Sequence, residues 1–159
     1  MDKILQILED NANLTHEQLA VMLDKEVGDI KNIIEKYEKD GIIVGYKTLI
    51  DWEKTERSMV KALIELKVTP KKGRGFDEIA MAIASMDEVE GVTLMSGGYD
   101  LLVEIKAKSF QEIAMFVFKR LSPMDDVNET ATHFVLRPYK QAGIIYHEEE
   151  EDGRSFVSL

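Results

Sequence analysis

Apolar residues recur at helical spacing through the first forty positions and at strand spacing beyond position 59, and this change of period divides the chain. Ile4, Leu5 and Leu8 follow Asp2, a residue that caps helix starts, and predict a short helix over 2–10. Asn11-Ala12-Asn13 interrupts it. Thr15, with Gln18 three positions on, forms a capping-box pattern ahead of Leu19, Ala20, Met22 and Leu23, so a second helix is predicted from Thr15 to about Asp24. The stripe Val27, Ile30, Ile33, Ile34 and Tyr37 predicts a third over 27–39, closed by Asp40-Gly41. Three short helices with a tight turn between the second and third suit a helix-turn-helix. Ile42 to Lys47, with Gly45 inside it, is expected to form the short strand pair of a wing.

Asp51 to Arg57 is too polar for a strand and marks a boundary. Beyond it, Met59 to Val68 alternates, with Val60, Ala62, Ile64, Leu66 and Val68 on one face. A basic loop, Thr69 to Gly75, leads to a helix striped by Phe76, Ile79, Ala80 and Ile83. Strands are predicted over 89–95 and 101–107. Ser109 and Glu112 form another capping box ahead of Phe110, Ile113, Ala114, Val117 and Leu121, and Pro123 stops that helix. Val127 to Tyr139 contains a last strand. Strand, helix, strand, strand, helix, strand is the ferredoxin-like order, with two helices on one face of an antiparallel sheet. Leu63, Val92, Leu94 and Leu102 fall on the second parity and predict an apolar open face, hence a homodimer or a higher assembly such as a tetramer or octamer. The fold class is therefore α+β. The expected domains are a winged helix-turn-helix over 1–50, a linker over 51–58, a ferredoxin-like domain over 59–140, and an extension over 141–159. In the extension, Gly143 to Tyr146 could add a strand or hairpin, and the acidic run from Glu148 to Asp152 reads as a solvated segment.

Between the second and third strands stands Met95-Ser96-Gly97-Gly98-Tyr99-Asp100-Leu101-Leu102. Paired glycines admit positive φ and leave no Cβ over the amides, so a small ligand or a second chain can approach the main chain. Tyr99 and Asp100 offer a ring and a carboxylate at the rim. A plain hairpin turn satisfies the same residues, and in that case Gly98→Ala is expected to strain any positive φ, while Asp100→Ala is expected to cost little.

Composition narrows the classes. The net charge of −10 opposes indiscriminate coating of nucleic acid, although a local basic face survives on an acidic protein because exposed charges are screened beyond roughly 8 Å. Cysteine is absent, and His16, His133 and His147 lack ligand spacing, so no metal site, no catalytic residue and no cofactor are expected. No stretch reaches the length of a membrane span, the first residues lack the pattern of a signal peptide, and a cytoplasmic location without membrane partners is expected.

Leu19-Ala20, the amphipathic third helix, Gly41-Ile42-Ile43-Val44-Gly45-Tyr46 and Asp51 resemble the DNA-binding half of the Lrp/AsnC regulators. The glycine turn and Thr130-Ala131-Thr132-His133-Phe134 resemble that family's sensing half, and the likeness covers about 1–140. It implies a transcription regulator that binds double-stranded DNA. It further implies an amino acid or related effector near Ser96, Gly97, Gly98, Tyr99, Asp100, Thr130 and Thr132, coupled to assembly. Arg74 is a further carboxylate candidate beside its reading as a solvated loop arginine. Lys25, Lys31, Lys36 and Lys47 are candidate phosphate contacts, and Asn32 can read a base edge. Where the family carries several arginines, the third helix has lysines interrupted by Asp29, Glu35 and Glu38, and no arginine occurs in the first fifty residues. A sensing module with weakened DNA binding is the alternative, and a siroheme-decarboxylase-like enzyme shares the layout.

Overall fold

The computed structural model describes residues 2–56, 59–70 and 75–146. Arg57, Arg74 and the segment from His147 onward, with the acidic run, lie outside them. The chain forms two compact units, Met1–Ile50 and Asp51–Leu159.

In the first unit, α1 (Lys3–Asp10), α2 (His16–Leu23) and α3 (Val27–Lys39) bury Ile4, Leu8, Leu19, Ala20, Ile30 and Ile34 against one another. The caps hold two of the three helix starts. Asp2 Oδ1 accepts the Ile4 N–H at 2.9 Å, and Thr15 and Gln18 close a reciprocal box. Glu26 precedes α3 without a side-chain cap bond. Between α2 and α3, Asp24 takes a left-handed conformation at φ 52°, which turns the chain within three residues. Asp2 also accepts a hydrogen bond from the Tyr37 hydroxyl, which ties the start of α1 to the end of α3.

The strand pair expected over 42–47 is not formed. One glycine between its halves is too short a loop, since a hairpin needs at least two loop residues. The Ile42 and Ile43 N–H groups instead both return to the Tyr37 carbonyl, at 2.8 and 3.1 Å, after Gly41 turns with φ 69°. The Tyr46 hydroxyl donates to Glu38 Oε1 at 2.9 Å, and Val44 between them is 94% exposed.

The second unit is an antiparallel sheet of β1 (Val60–Val68), β2 (Val89–Leu94), β3 (Leu101–Ala107) and β4 (Val127–Val135), in the order β2-β3-β1-β4. One face carries α4 (Phe76–Ala84) and α5 (Phe110–Phe116), and α5 continues through a π-helical turn, Val117–Leu121. That continuation departs from the single helix that the apolar spacing predicts. Ala62, Ile64, Leu66, Leu101, Val103 and Ile105 meet Ile79, Ile83, Ile113, Phe116 and Leu121 in the core. A short hairpin, β5 (Lys140–Gln141) and β6 (Ile144–Ile145), follows.

The open face is more polar than expected. A register shift between Val89 and Gly91 places Val92 opposite Val103 and Leu94 opposite Leu101, both on the helix-covered side. Val92 packs on the core there. Leu63 and Leu102 remain on the open face, between the ion pairs Lys61–Glu104 (2.6 Å), Lys67–Glu129 (3.3 Å) and His133–Glu65 (3.4 Å).

Candidate functional site

Six residues join β2 to β3, closed at the base by the Met95 N–H donating to the Asp100 carbonyl at 2.8 Å. Gly97 has φ 146°, a conformation that only glycine adopts cheaply, whereas Gly98 has no positive φ. The expectation of strain at Gly98 therefore moves to Gly97. A Cβ on either glycine would meet nothing within 4 Å. Ser96, Gly97 and Gly98 are exposed, and Tyr99 and Asp100 are half-buried. Among the described residues, the N–H groups of Ser96, Gly97, Gly98 and Tyr99 donate to no acceptor. Four consecutive amides thus form an uncommitted donor array beneath open space.

Asp100 is tied into the sheet. Its N–H donates to the Leu66 carbonyl at 2.9 Å, and its Oδ2 accepts the Val68 N–H at 2.8 Å. That second bond sits where the β1–β4 register shifts between Lys67 and Val68, a point at which the regular ladder lapses. Its Oδ1 makes no hydrogen bond among the described residues.

Thr130 and Thr132 stand opposite Leu66 and Ile64, so both project to the helix-covered side of the edge strand β4 and are half-buried. Leu66 is also opposite Leu101, which puts Thr130 two strand spacings, about 10 Å, from the start of β3. Thr132 lies one pleat repeat, about 7 Å, farther from the turn. The turn, Asp100 and Thr130 thus share one end of the sheet.

Asp126, which no sequence pattern singled out, belongs to that same end. Its carbonyl accepts the Thr69 N–H at 2.9 Å, and Asn128 Nδ2 donates to Thr69 Oγ1 at 2.8 Å. Its Oδ1 is buried without a hydrogen-bond partner among the described residues. The Asp125-Asp126 doublet after Pro123 reads only as a turn, because burial of one oxygen leaves no mark on spacing.

In the first unit, Lys25, Lys31, Asn32, Lys36 and Lys47 are all exposed. Asn32 and Lys36 lie one helical turn apart on α3 and face the same way. Lys31 is paired with Glu35 at 3.7 Å, with both side chains 59% exposed, an arrangement worth about 0–1 kcal/mol. The groups that the sequence pointed to thus form a mixed-charge surface, with Lys36 less encumbered than Lys31.

The Lrp/AsnC ligand-binding domain model matches residues 61–145, more than half of the chain, and a winged helix-turn-helix DNA-binding model matches 3–44. The chain belongs to the Lrp/AsnC family. It is a transcriptional regulator with a helix-turn-helix DNA-binding unit followed by a ligand-binding unit. It is 44% identical over 157 residues to the HTH-type transcriptional regulator YugG of Bacillus subtilis, covering 98% of this chain and 95% of that one. The leucine-responsive regulatory protein of Haemophilus influenzae is 24% identical over 143 residues, covering 90% of this chain and 86% of that one. Among solved structures, the transcriptional regulator NMB0573 from Neisseria meningitidis, in complex with L-Met, superposes with a TM-score of 0.68 at 22% identity, over 89% of this chain and 93% of that one. The likeness of fold extends through both units. No helix among the described residues is long and apolar enough to cross a membrane.

Proposed function

We propose that this Lrp/AsnC regulator senses an amino acid at its glycine turn. The observation that carries the reading is the array of four uncommitted N–H groups at Ser96 to Tyr99 beneath open space. Such an array suits a carboxylate, which accepts several backbone donors at once. The ammonium group then pairs with Asp100 Oδ1, Thr130 supplies a polar contact at the same sheet end, and Thr132 supplies one about 7 Å farther along β4. Asp126 is a second acceptor for a cation. That the related Neisseria regulator holds L-Met supports an amino acid as the ligand class.

The DNA-binding unit meets phosphates through Lys25, Lys31, Lys36 and Lys47 and a base edge through Asn32. Occupancy of the sensing unit is coupled to assembly, at least a homodimer built on the open sheet face around Leu63 and Leu102. A regulator of chromosomal DNA works in the cytoplasm, consistent with the absence of a membrane-spanning helix among the described residues. A thermal-shift screen with the common amino acids tests the sensing reading. An effector at 100 times its Kd stabilises the native state by about 2.7 kcal/mol. No response to any of them contradicts it.

A further inference from the structure

At the far end of the sheet from the glycine turn, the structure holds a cleft of about 670 Å³. Four residues of β3 separate the turn from Ile105 in the cleft lining, about 17 Å along the strand. Its volume falls within the range of small-molecule sites, about 300–1,000 Å³. Met59, Ile105, Ala107, Met115 and Phe116 give it an apolar floor.

The charges around that floor sort by partner. Arg120 pairs with Glu88 at 3.6 Å, Lys106 holds its ammonium over the Trp52 ring at 4.2 Å, and Glu112 Oε2 accepts the Lys108 N–H at 2.9 Å. A backbone N–H leaves the Glu112 charge in place, so the lining sets four cationic side chains, Lys106, Lys108, Lys119 and Arg120, against the carboxylates of Asp87, Glu88 and Glu112, and the ammonium groups of Lys108 and Lys119 are without partners among the described residues. An excess of positive charge on a chain of net −10 is a local feature, and here it borders hydrocarbon. Lys119 and Arg120 belong to the π-helical turn, in which the Ser122 N–H reaches back five residues to the Val117 carbonyl at 2.9 Å. Such turns widen a helix locally and recur at functional sites.

We propose that this cleft is a second small-molecule site, which takes a short apolar monocarboxylate whose chain lies on Ile105, Ala107, Met115 and Phe116 and whose charge meets Lys108 and Lys119. It is separate from the amino-acid site at the turn, because nothing in it presents a run of free backbone amides and its excess charge is cationic. Met59, at the head of β1, touches the ligand where the chain enters the sheet.

Methionine methyl NMR tests this on the full chain, with hexanoate as the probe and hexylamine as its cationic counterpart. Met59 and Met115 line the cleft and Met95 flanks the turn, and each signal is assigned by a Met→Leu variant. Hexanoate is expected to shift Met59 and Met115 saturably and leave Met95 in place, and hexylamine to shift none of the three. The double variant Lys108→Glu, Lys119→Glu, altered only at exposed positions, is expected to weaken hexanoate at least tenfold with unchanged circular dichroism. Unmoved Met59 and Met115, a shift confined to Met95, or equal affinity in the double variant overturns the proposal. A change in oligomeric mass by light scattering in the double variant, without hexanoate binding to the wild type, overturns it in favour of an interface between copies. A failed amino-acid screen leaves these readouts intact, so the two proposals fail separately.

Discussion

The carboxylate of Asp100 accepts the backbone N–H of Val68 at 2.8 Å, across 32 residues of chain, where the β1–β4 ladder shifts register. One Asp100 oxygen is therefore structural, and the other makes no hydrogen bond among the described residues. Removing the acceptor strands a half-buried N–H, at a cost of about 1–3 kcal/mol. Asp100→Ala is expected to lower the melting temperature of the free protein, contrary to what an exposed rim residue would do. Asp100→Asn keeps a carbonyl oxygen for Val68 and is expected to lose less than half as much. Thermal denaturation of both variants without effector checks the order.

The paired glycines separate in the same way. Gly97→Ala forces a Cβ into φ 146° and is expected to cost about 1–3 kcal/mol. Gly98→Ala is expected to melt within about 0.5 kcal/mol of wild type, because its methyl enters open space and φ is not positive. Under the sensing reading, that methyl intrudes on the ligand and weakens effector binding. Denaturation and effector titration of the two variants side by side distinguish architecture from binding.

Asp2 links the DNA-binding unit to acid. The Tyr37 hydroxyl, and after it the Ile4 N–H, hold its carboxyl below the ordinary value of 3.8. A depressed folded-state pKa adds stability that is complete above 3.8 and is lost as pH falls through the lower folded value. Tyr37→Phe removes the larger cause. Its destabilisation relative to wild type is therefore expected to be constant above about pH 5 and to shrink below pH 3.8, as read by denaturant melts at a series of pH values.

On α3, Lys31 is paired with Glu35, and the proposed phosphate contact of Lys31 would have to displace that pairing. Glu35→Gln is expected to tighten binding severalfold at low salt. Lys36→Glu is expected to weaken binding across sequences and to flatten the salt dependence by about one unit of slope or more. Asn32→Ala is expected to change sequence preference with little change of slope. Fluorescence anisotropy on the promoter region of the protein's own gene, at several salt concentrations, separates the three.

The period of apolar residues carried most of this fold to the eye. Asp2, Thr15 with Gln18, and Ser109 announced helix starts that the hydrogen bonds confirm, although Glu112 caps Lys108 with its side chain rather than completing a box on Ser109. The strict alternation of β1 and β3 gave their inward faces. Illegible were the features that depend on one residue more or fewer. The shift beside Gly91 inverted the parity of Val92 and Leu94, and Val117 to Leu121 fits an α-helical stripe as readily as a π turn. The apolar run over 42–47 resembles a strand, but strand spacing cannot say where the ladder partner is. At the site, the glycines and Asp100 were visible as chemistry, whereas the bond to Val68 and the buried oxygen of Asp126 arise only from folding.

An amino acid held at the glycine turn would be detected by calorimetric titration of the effector found in the screen into wild type and Asp100→Asn. The Asn variant keeps an acceptor for the Val68 N–H while removing the charge proposed to face the ligand's ammonium. A charge-assisted hydrogen bond is worth about 1.5–3 kcal/mol, which predicts affinity roughly ten- to a hundredfold weaker in the variant. Equal affinities in the two folded proteins would contradict the account and place the effector elsewhere.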